Sequence, residues 1–254
     1  MESLDGARRI RRLAIALAVV MIASFSTLLY FGRGIYQAAP PIPEAVVAED
    51  GSVLFTRADI ETGQDVWRSI GGHELGSIWG HGAYVAPDWT ADWLHREATW
   101  LLDRWARDLH GLPYAGLAPD LQAALRARLQ EELRTNRHDP EHGVITVSSD
   151  RAAAIAAVGA HYRGLFRDDP ALDGLRTAYA MPRNTVGDAE RAEALEAFFF
   201  WATWACVTQR PGEEVTYTQN WPPDELVGNR PTGAIVVVSV ASFVLLLGGI
   251  GALS

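Results

Sequence analysis

The side chains best suited to metal or acid–base chemistry are seven histidines, and they are spread along the chain rather than grouped. They are His73, His81, His95, His110, His138, His142 and His161. A helical metal site commonly uses two histidines four residues apart with a carboxylate beside them. His138 and His142 have that separation, but Asp139-Pro140 between them interrupts a helix. We therefore expect a solvated loop there rather than a metal pair.

Other catalytic signatures are weak in this sequence. Cys206 is the single cysteine, so it forms no intrachain disulfide, and it lies in a run of apolar and aromatic residues where a free cysteine acts as a small hydrophobe. The chain has neither a G-x-S-x-G nucleophile motif nor a phosphate-binding loop, and no pair of carboxylates stands out as a glycosidase site. Met181-Pro182 resembles the axial-methionine corner of a cytochrome c, but without C-x-x-C-H packing is the better explanation.

Two segments are almost wholly apolar and carry no charge, Leu13–Phe31 and Ala234–Leu253. A helix needs about 20 apolar residues to cross a bilayer, so both are predicted to span a membrane. A cleaved signal peptide is the alternative for the first segment, although its apolar core is normally shorter and ends at a small-residue cleavage site. The expected division is a cytoplasmic N-terminus at 1–12, transmembrane helix 1 at 13–32, an extracytoplasmic domain at 33–231 and transmembrane helix 2 at 232–254.

Charge sets the expected orientation and excludes one class of partner. Arg8, Arg9, Arg11 and Arg12 directly precede the first apolar segment, which by the positive-inside rule places the N-terminus in the cytoplasm. Residues 33–231 then face the periplasm or the exterior of a bacterial inner membrane. The chain has a formal net charge of −9, and its acidity lies between the spans. A nucleic-acid partner is therefore not expected.

The domain between the spans is predicted to be mainly α-helical with minor β-structure. Asp50-Gly51 between apolar runs predicts a hairpin over 45–55, and Val144–Val147 predicts a strand. Asp88 is the expected N-cap of a helix to about Leu109, with His95, Arg96 and Glu97 on its charged side. Apolar periodicity predicts the remaining helices at 57–70, 119–135, 149–167, 170–180 and 188–209, and residues 217–231 should be irregular.

Aromatic residues are concentrated in one part of the chain. Six of the nine tryptophans lie between Trp67 and Trp105, next to the glycine-rich stretch Gly76–Pro87. Tryptophan favours the membrane interface, where its indole N–H stays hydrated while the ring is buried in apolar surroundings. Core packing explains the same composition equally well, so both interpretations stay open at this point.

Several long motifs resemble the N-terminal region of the quinol-dependent nitric oxide reductases. They are GQDVWRSIGGHELGSIWGHGAYVAPDWTADWLHREA, YQAAPPIPE, FFFWATWACVTQRPG and TYTQNWPPDELVGNRPTG, which together extend over essentially the whole chain. The resemblance implies a membrane enzyme that reduces two nitric oxide molecules to nitrous oxide with quinol electrons. It also implies that the extracytoplasmic domain is similar to a cytochrome c that has lost its haem.

The resemblance assigns the lost haem site to particular residues. In the small cytochrome c of related enzymes, C-x-x-C-H precedes a Gly-Ala-Tyr and Ala-Pro-Asp run, and the similar run here begins at Gly82. Counting back places Gly72, Leu75 and Gly76 where the two cysteines and the histidine would stand. The same resemblance implies Gly82 and Tyr84 as candidate calcium ligands, with oxygen donors that suit this ion. The alternative is that these two residues only shape the loop.

The family's haem b and non-haem iron are held by histidines of later membrane helices, and the apolar segments here contain no histidine. We therefore expect residues 1–254 to be part of a longer protein, to bind no cofactor alone except possible calcium, and to be inactive alone. The expected role is a structural cap over the remaining membrane core, with quinol as the whole enzyme's electron donor and a homodimer as a further expectation. The alternative is a two-span membrane sensor or ligand-binding module.

Overall fold

The computed structural model describes residues 2–82 and 86–253, which fall into two compact units. The first unit ends at Pro41 and consists mainly of helix α1, Glu2–Gln37. Within it, Arg8–Gly34 is long and apolar enough to cross a membrane. Its leucine, isoleucine, valine and phenylalanine side chains are exposed, as in a helix surrounded by lipid. This length and composition are those of a membrane anchor.

The second unit begins at Ile42 and is mostly helical, as the sequence predicts. Its helices are α2 (Arg57–Ser69), α3 (Gly72–Leu75), α4 (Trp89–His110), α5 (Pro119–Arg134), α6 (Ser149–Phe166), α7 (Asp173–Ala178), α8 (Ala189–Val207) and α9 (Gly233–Leu253). Helix α3 is a single turn that starts at Gly72, directly after the predicted end of the preceding helix. The predicted helix over 170–180 is a 3₁₀ turn, Pro170–Leu172, followed by α7.

A four-stranded sheet packs beside the helices. Its strands are β1 (Ala45–Ala48), β2 (Val53–Thr56), β5 (His138–Asp139) and β6 (Val144–Val147), in the order β2-β1-β6-β5. The predicted hairpin is confirmed, because β1 and β2 are antiparallel and Asp50 Oδ1 accepts the Ser52 N–H at 2.9 Å in the turn. Strand β1 also runs parallel to β6, a long-range pairing that local sequence patterns do not predict.

Side-chain caps define the helix starts. Asp88 accepts a hydrogen bond from Ala91 N and begins α4 as predicted, and Gly111 ends α4 in the left-handed conformation. Thr56 and Asp59 form a reciprocal capping box at the start of α2. Ser148 and Asp188 cap α6 and α8 with their side-chain oxygens. The polar N-cap residue of each of these helices is therefore a close neighbour of the helix in the sequence.

Helix α8 is the centre of the second unit. Every residue from Ala194 to Val207 is buried, because α2, α4, α5 and α6 pack around this helix. A helix that is apolar on all sides must be enclosed by other elements. The predicted burial of Cys206 on this helix is confirmed, since its side chain has no exposed surface. Helix α8 therefore forms the apolar core against which the surrounding helices pack.

Helix α9 closes the described chain and is apolar throughout. Its uninterrupted apolar stretch over 236–251 is shorter than that of α1. The large side chains of this stretch, among them Phe243 and Leu245, are exposed rather than packed on the core. Residues 217–231 before it are irregular, as predicted, with only an isolated bridge between Asp224 and Asn229.

Candidate functional site

The stretch Gly72–Gly76, where the family resemblance implies a lost haem attachment motif, forms a tight corner between α2 and a short hairpin. Gly71 precedes it with a φ of +68°, and Gly76 ends it with a φ of +155°. The hairpin strands are β3 (Ser77–Ile78) and β4 (His81–Gly82). The positive φ at both ends favours glycine, which has no Cβ to obstruct it.

Two indoles lie directly against this corner. A Cβ atom built on Gly72 overlaps the ring of Trp67. A Cβ atom built on Gly76 overlaps the Nε1 end of Trp89 and lies 2.8 Å from the carbonyl oxygen of Pro87. A cysteine at residue 72 or a histidine at residue 76 therefore does not fit without displacing a buried tryptophan. The residues present do not fit a covalently attached haem.

The space behind the corner is filled by an aromatic cluster, which consists of Trp67, Trp89, Trp93, Tyr162, Phe166 and Phe199. Phe199 of α8 is its centre: its ring centroid lies 5.6 Å from that of Trp67 and 6.0 Å from that of Trp89, with which it is nearly parallel. Trp93 stacks on Tyr162 at 5.1 Å. Rings at such separations gain dispersion and quadrupole energy beyond simple burial. All six side chains of the cluster are buried.

The tryptophan-rich region is thus explained mainly by core packing. Of the six tryptophans between 67 and 105, four are buried and only Trp79 and Trp100 are partly exposed. The Trp79 indole donates a hydrogen bond to the Ala202 carbonyl at 2.8 Å, which attaches the hairpin to α8. The sequence interpretation that placed this region flat on a membrane surface is not needed to account for it.

Asp88 holds the segment between the corner and α4 in place. Its carboxylate accepts hydrogen bonds from the Ser77 hydroxyl at 2.8 Å and from Ala91 N at 2.9 Å, and also from Gly80 N and the Thr90 hydroxyl. A charged acceptor satisfying four donors fixes their mutual geometry. The Asp-Trp-Thr sequence at 88–90 therefore positions the hairpin as well as capping the helix.

The candidate calcium ligands are only partly within the described chain. Gly82 ends β4, where its backbone pairs with Ser77. Tyr84 lies outside the described residues, so the expected ligand pair stays a prediction. Within residues 2–82 and 86–253, no group of three or more histidine, cysteine, aspartate or glutamate side chains is arranged to hold a metal ion.

The other candidate residues from the sequence lie in a strand, in a turn or in the core. His138 lies in β5 and His142 in the following turn, where its Nδ1 is 2.6 Å from Asp139 Oδ2, so the two do not share a helix. Met181 is buried in the core, as the packing interpretation predicts. Burial raises the pKa of the Cys206 thiol well above its usual range, and the thiol lies 3.0 Å from the Thr203 carbonyl that accepts its hydrogen bond. Cys206 is not an activated nucleophile.

Sequence reasoning was wrong about Glu97, which was expected on the charged side of α4. Its side chain is fully buried, and its Oε1 accepts a hydrogen bond from Arg151 Nε at 2.8 Å. Glu97 Oε2 accepts a further bond from the Trp93 indole at 3.1 Å. The sequence did indicate that Glu97 is buried, because residue 97 lies four positions before Leu101 on the apolar stripe. A buried charge needs such partners to offset the cost of its desolvation.

His95 and Arg96, the neighbours of Glu97, do lie toward solvent. His95 is exposed, and its Nδ1 is 3.3 Å from Asp224 Oδ2 in the segment before α9. Arg96 donates from Nε to Asp92 Oδ2 at 2.7 Å and is one-third exposed. The predicted surface position of His95 is confirmed.

The second unit matches a known protein family. A family model described as the NorB cytochrome c-like domain of nitric oxide reductase matches residues 43–223, which is well over half of the chain. The match begins at the start of the sheet and ends in the irregular segment before α9. No curated protein matches the chain.

Proposed function

The chain belongs to the family of NorB cytochrome c-like domains of nitric oxide reductase, and from this premise we propose that it is the haem-free cap of a quinol-dependent enzyme. In this proposal it is part of an oxidoreductase that converts two nitric oxide molecules to nitrous oxide. The cap covers a membrane core that carries haem b and non-haem iron. Electrons enter that core from quinol without passing through a haem in this domain.

One observation carries the proposal, namely the filled corner at Gly72 and Gly76. Trp67 and Trp89 occupy the positions that side chains at residues 72 and 76 would need. A domain with the family's cytochrome c-like character but with this corner packed by indoles has no redox centre there. Its rigid core and fixed corner suit a structural role, because a close-packed interior resists deformation.

The membrane arrangement supports the same proposal. Helix α1 has the length of an anchor, and α9 presents apolar side chains that are not covered by the rest of its unit. In the lipid, α9 packs with further membrane helices, for which its small residues Gly248, Gly249 and Gly251 allow close approach. The proposed orientation places the N-terminus in the cytoplasm and the domain on the periplasmic or outer face of the bacterial membrane.

Reconstitution tests the cap role. Residues 1–254 with an affinity tag are expressed together with a separately encoded family membrane core, and each is also expressed alone. We expect the two parts to copurify, and nitric oxide consumption with a reduced quinol analogue to require both. Consumption by residues 1–254 alone, or full activity of the core without the cap, contradicts the proposal.

A second measurement tests the absence of haem. The chain is produced in cells with active c-type haem maturation, and the purified protein is assayed for haem by its pyridine haemochrome spectrum. We expect no covalently bound haem in the wild type or in a variant carrying Gly72→Cys, Leu75→Cys and Gly76→His. Covalent haem in the wild type contradicts the proposal, whereas haem only in the triple variant contradicts the steric argument.

A further inference from the structure

A groove lies between α4 and α6. It has a volume of about 670 Å³. One wall follows α4 for about 22 Å at the helical rise per residue, and the other is formed by one part of α6. The side chains of α4 that line it are Asp92, His95, Arg96, Thr99, Trp100, Asp103, Arg104 and Arg107. Those of α6 are Ala157, Val158 and His161.

The groove is lined by charged side chains of both signs. Three of its lining side chains are arginines and two are aspartates, whereas the whole chain has a formal net charge of −9. Arg104 is paired with Asp108 at 2.7 Å, and Arg107 is 3.9 Å from Asp103. Each of the three arginines has an aspartate beside it, so a bound anion would use guanidinium N–H groups that these ion pairs leave unoccupied.

Arg96 lines the groove on α4 and lies close to His161 of α6. Its Nε donates to Asp92 Oδ2 at 2.7 Å, and Asp92 Oδ2 also accepts the Tyr162 hydroxyl at 2.6 Å. A guanidinium has five N–H donors, and those of Arg96 meet Asp92 and the hydroxyls of Tyr162 and Tyr179, so the remaining N–H groups are the ones open to a ligand. The carboxylate and the phenol restrict the rotamers of Arg96, and this reduces the entropy that a ligand must overcome.

His161 provides an unpaired polar atom at the same place. Its Nε2 is buried and has no hydrogen-bond partner among the described residues. Burial lowers the pKa of His161, and the charge of Arg96 lowers it further, while Asp92 and Asp169 act in the opposite direction. A buried polar atom of this kind is normally satisfied by water or by a bound group. Neutral imidazole with its proton on Nε2 donates a hydrogen bond to an anionic oxygen.

The other side chains offer an apolar surface. Val158 is buried at the base of the groove, Trp100 is partly exposed along its wall, and Ala157 is exposed at its edge. Small-molecule sites commonly combine a mostly apolar lining with a few convergent polar groups, in volumes of about 300–1,000 Å³. The groove has both properties.

We propose that this α4–α6 groove binds a small amphipathic anion, whose acidic group is held by Arg96 and His161 and whose apolar part lies on Trp100 and Val158. The ligand class is a monocarboxylate or monophosphate with one apolar chain. Two sources have this chemistry: a free amphipathic acid, or the acidic headgroup of a bilayer lipid. The inference does not depend on the role proposed for the corner at Gly72–Gly76.

Photolabelling tests the site. The whole chain is placed in nanodiscs of zwitterionic lipid and labelled with a decanoate analogue that carries a diazirine, and the modified peptides are identified by mass spectrometry. We expect labels on α4 and α6 that unlabelled decanoate removes and decyltrimethylammonium does not. Labelling confined to α1 and α9, or equal competition by the cation, overturns the proposal.

Two variants and two controls define the site further. Arg96→Gln removes the positive charge, and Ala157→Trp fills the groove from an exposed position where the fold tolerates a large side chain. Each is expected to weaken decanoate competition at least tenfold. The controls Arg126→Gln and Ala124→Trp change exposed residues of α5 in the same way and should leave competition unchanged. Unchanged competition in Ala157→Trp overturns the proposal, even if Arg96→Gln unfolds.

Lipid composition distinguishes the two sources. The labelling is repeated in nanodiscs that contain an acidic phospholipid. Reduced labelling of the groove identifies the lipid headgroup as the occupant, and unchanged labelling identifies a free amphipathic acid. Either result supports an anion site. An absence of groove labelling in the wild-type protein in zwitterionic lipid would contradict it.

Discussion

Arg151 of α6 donates a hydrogen bond from Nε to Glu97 Oε1 of α4 over 2.8 Å, and both side chains are almost completely buried. The pair connects two helices of the core across 54 positions of sequence. Trp93 donates to the other carboxylate oxygen, and the Arg151 guanidinium lies 5.7 Å from the Phe200 ring centroid. This interaction links α4, which carries the groove, to the centre of the domain.

Removing one partner of this pair is expected to destabilise the domain strongly. Glu97→Ala leaves a buried guanidinium without its counter-charge, a change that typically costs about 3–5 kcal/mol of unfolding free energy. Denaturant unfolding followed by circular dichroism measures the loss. The double variant Glu97→Leu/Arg151→Met should recover most of it, because neither charge remains buried.

The exposed pair Arg104–Asp108 is the control for this prediction. Its side chains are about half exposed, so water screens their attraction. Asp108→Ala should shift the unfolding midpoint far less than Glu97→Ala. Similar shifts for the two variants would show that the Glu97–Arg151 pair does not stabilise the core.

The corner at Gly72 should not tolerate a side chain. Gly72→Ala places a methyl group on the Trp67 ring, and such overpacking typically costs about 1–3 kcal/mol. Gly116→Ala is the control, since a Cβ there meets only Pro113 at 3.7 Å. We expect Gly72→Ala to lower the melting temperature and the control to leave it nearly unchanged. Equal melting temperatures would mean that Trp67 can move away freely.

Glu196 should make the stability of the domain depend on pH. Burial raises its pKa to about 7 from 4.5, opposed by the nearby Arg163 guanidinium. The folded state therefore holds this proton more tightly than the unfolded state does. The resulting stabilisation is fully present below pH 4.5 and is lost as the pH rises through about 7, by about 3 kcal/mol from the size of the pKa shift.

Melting temperatures from pH 5 to pH 8 test the titration of Glu196. Glu196→Gln keeps a neutral side chain at every pH, so the fall in stability with rising pH should become smaller in this variant. Glu193→Gln, at an exposed neighbouring position, is the control and should retain most of the wild-type dependence. A wild-type curve that Glu196→Gln leaves unchanged would contradict the prediction.

Asp88 should contribute more to the stability of the domain than an ordinary helix cap does. Asp88→Ala removes the α4 cap, which is commonly worth about 1 kcal/mol, and also leaves the Ser77 and Thr90 hydroxyls without their acceptor. Asp188 caps α8 by accepting a hydrogen bond from Arg191 N, its one side-chain bond among the described residues, and is the matched comparison. Unfolding free energies should fall further in Asp88→Ala than in Asp188→Ala. Equal losses of unfolding free energy would mean that Asp88 contributes to stability only as a helix cap.

Local patterns predicted most of the elements and the family to which they belong. The turn at Asp50-Gly51, the cap at Asp88 and the stripe ending near Leu109 act through neighbouring residues, so their effects are visible in a short window of sequence. The family resemblance also assigned a lost attachment motif to Gly72, Leu75 and Gly76, which stays a prediction. The candidate calcium ligand Tyr84 lies outside the described residues and stays a prediction.

Tertiary structure alone decided what surrounds these residues. Trp67 and Trp89 meet Phe199 only because α8 passes behind the corner, and Glu97 is buried because α6 brings Arg151 to it. The parallel pairing of Ala45 with Val144 likewise joins distant parts of the chain. Sequence periodicity reports which face of an element is apolar, whereas close packing between elements determines which side chains meet and which charges can be buried.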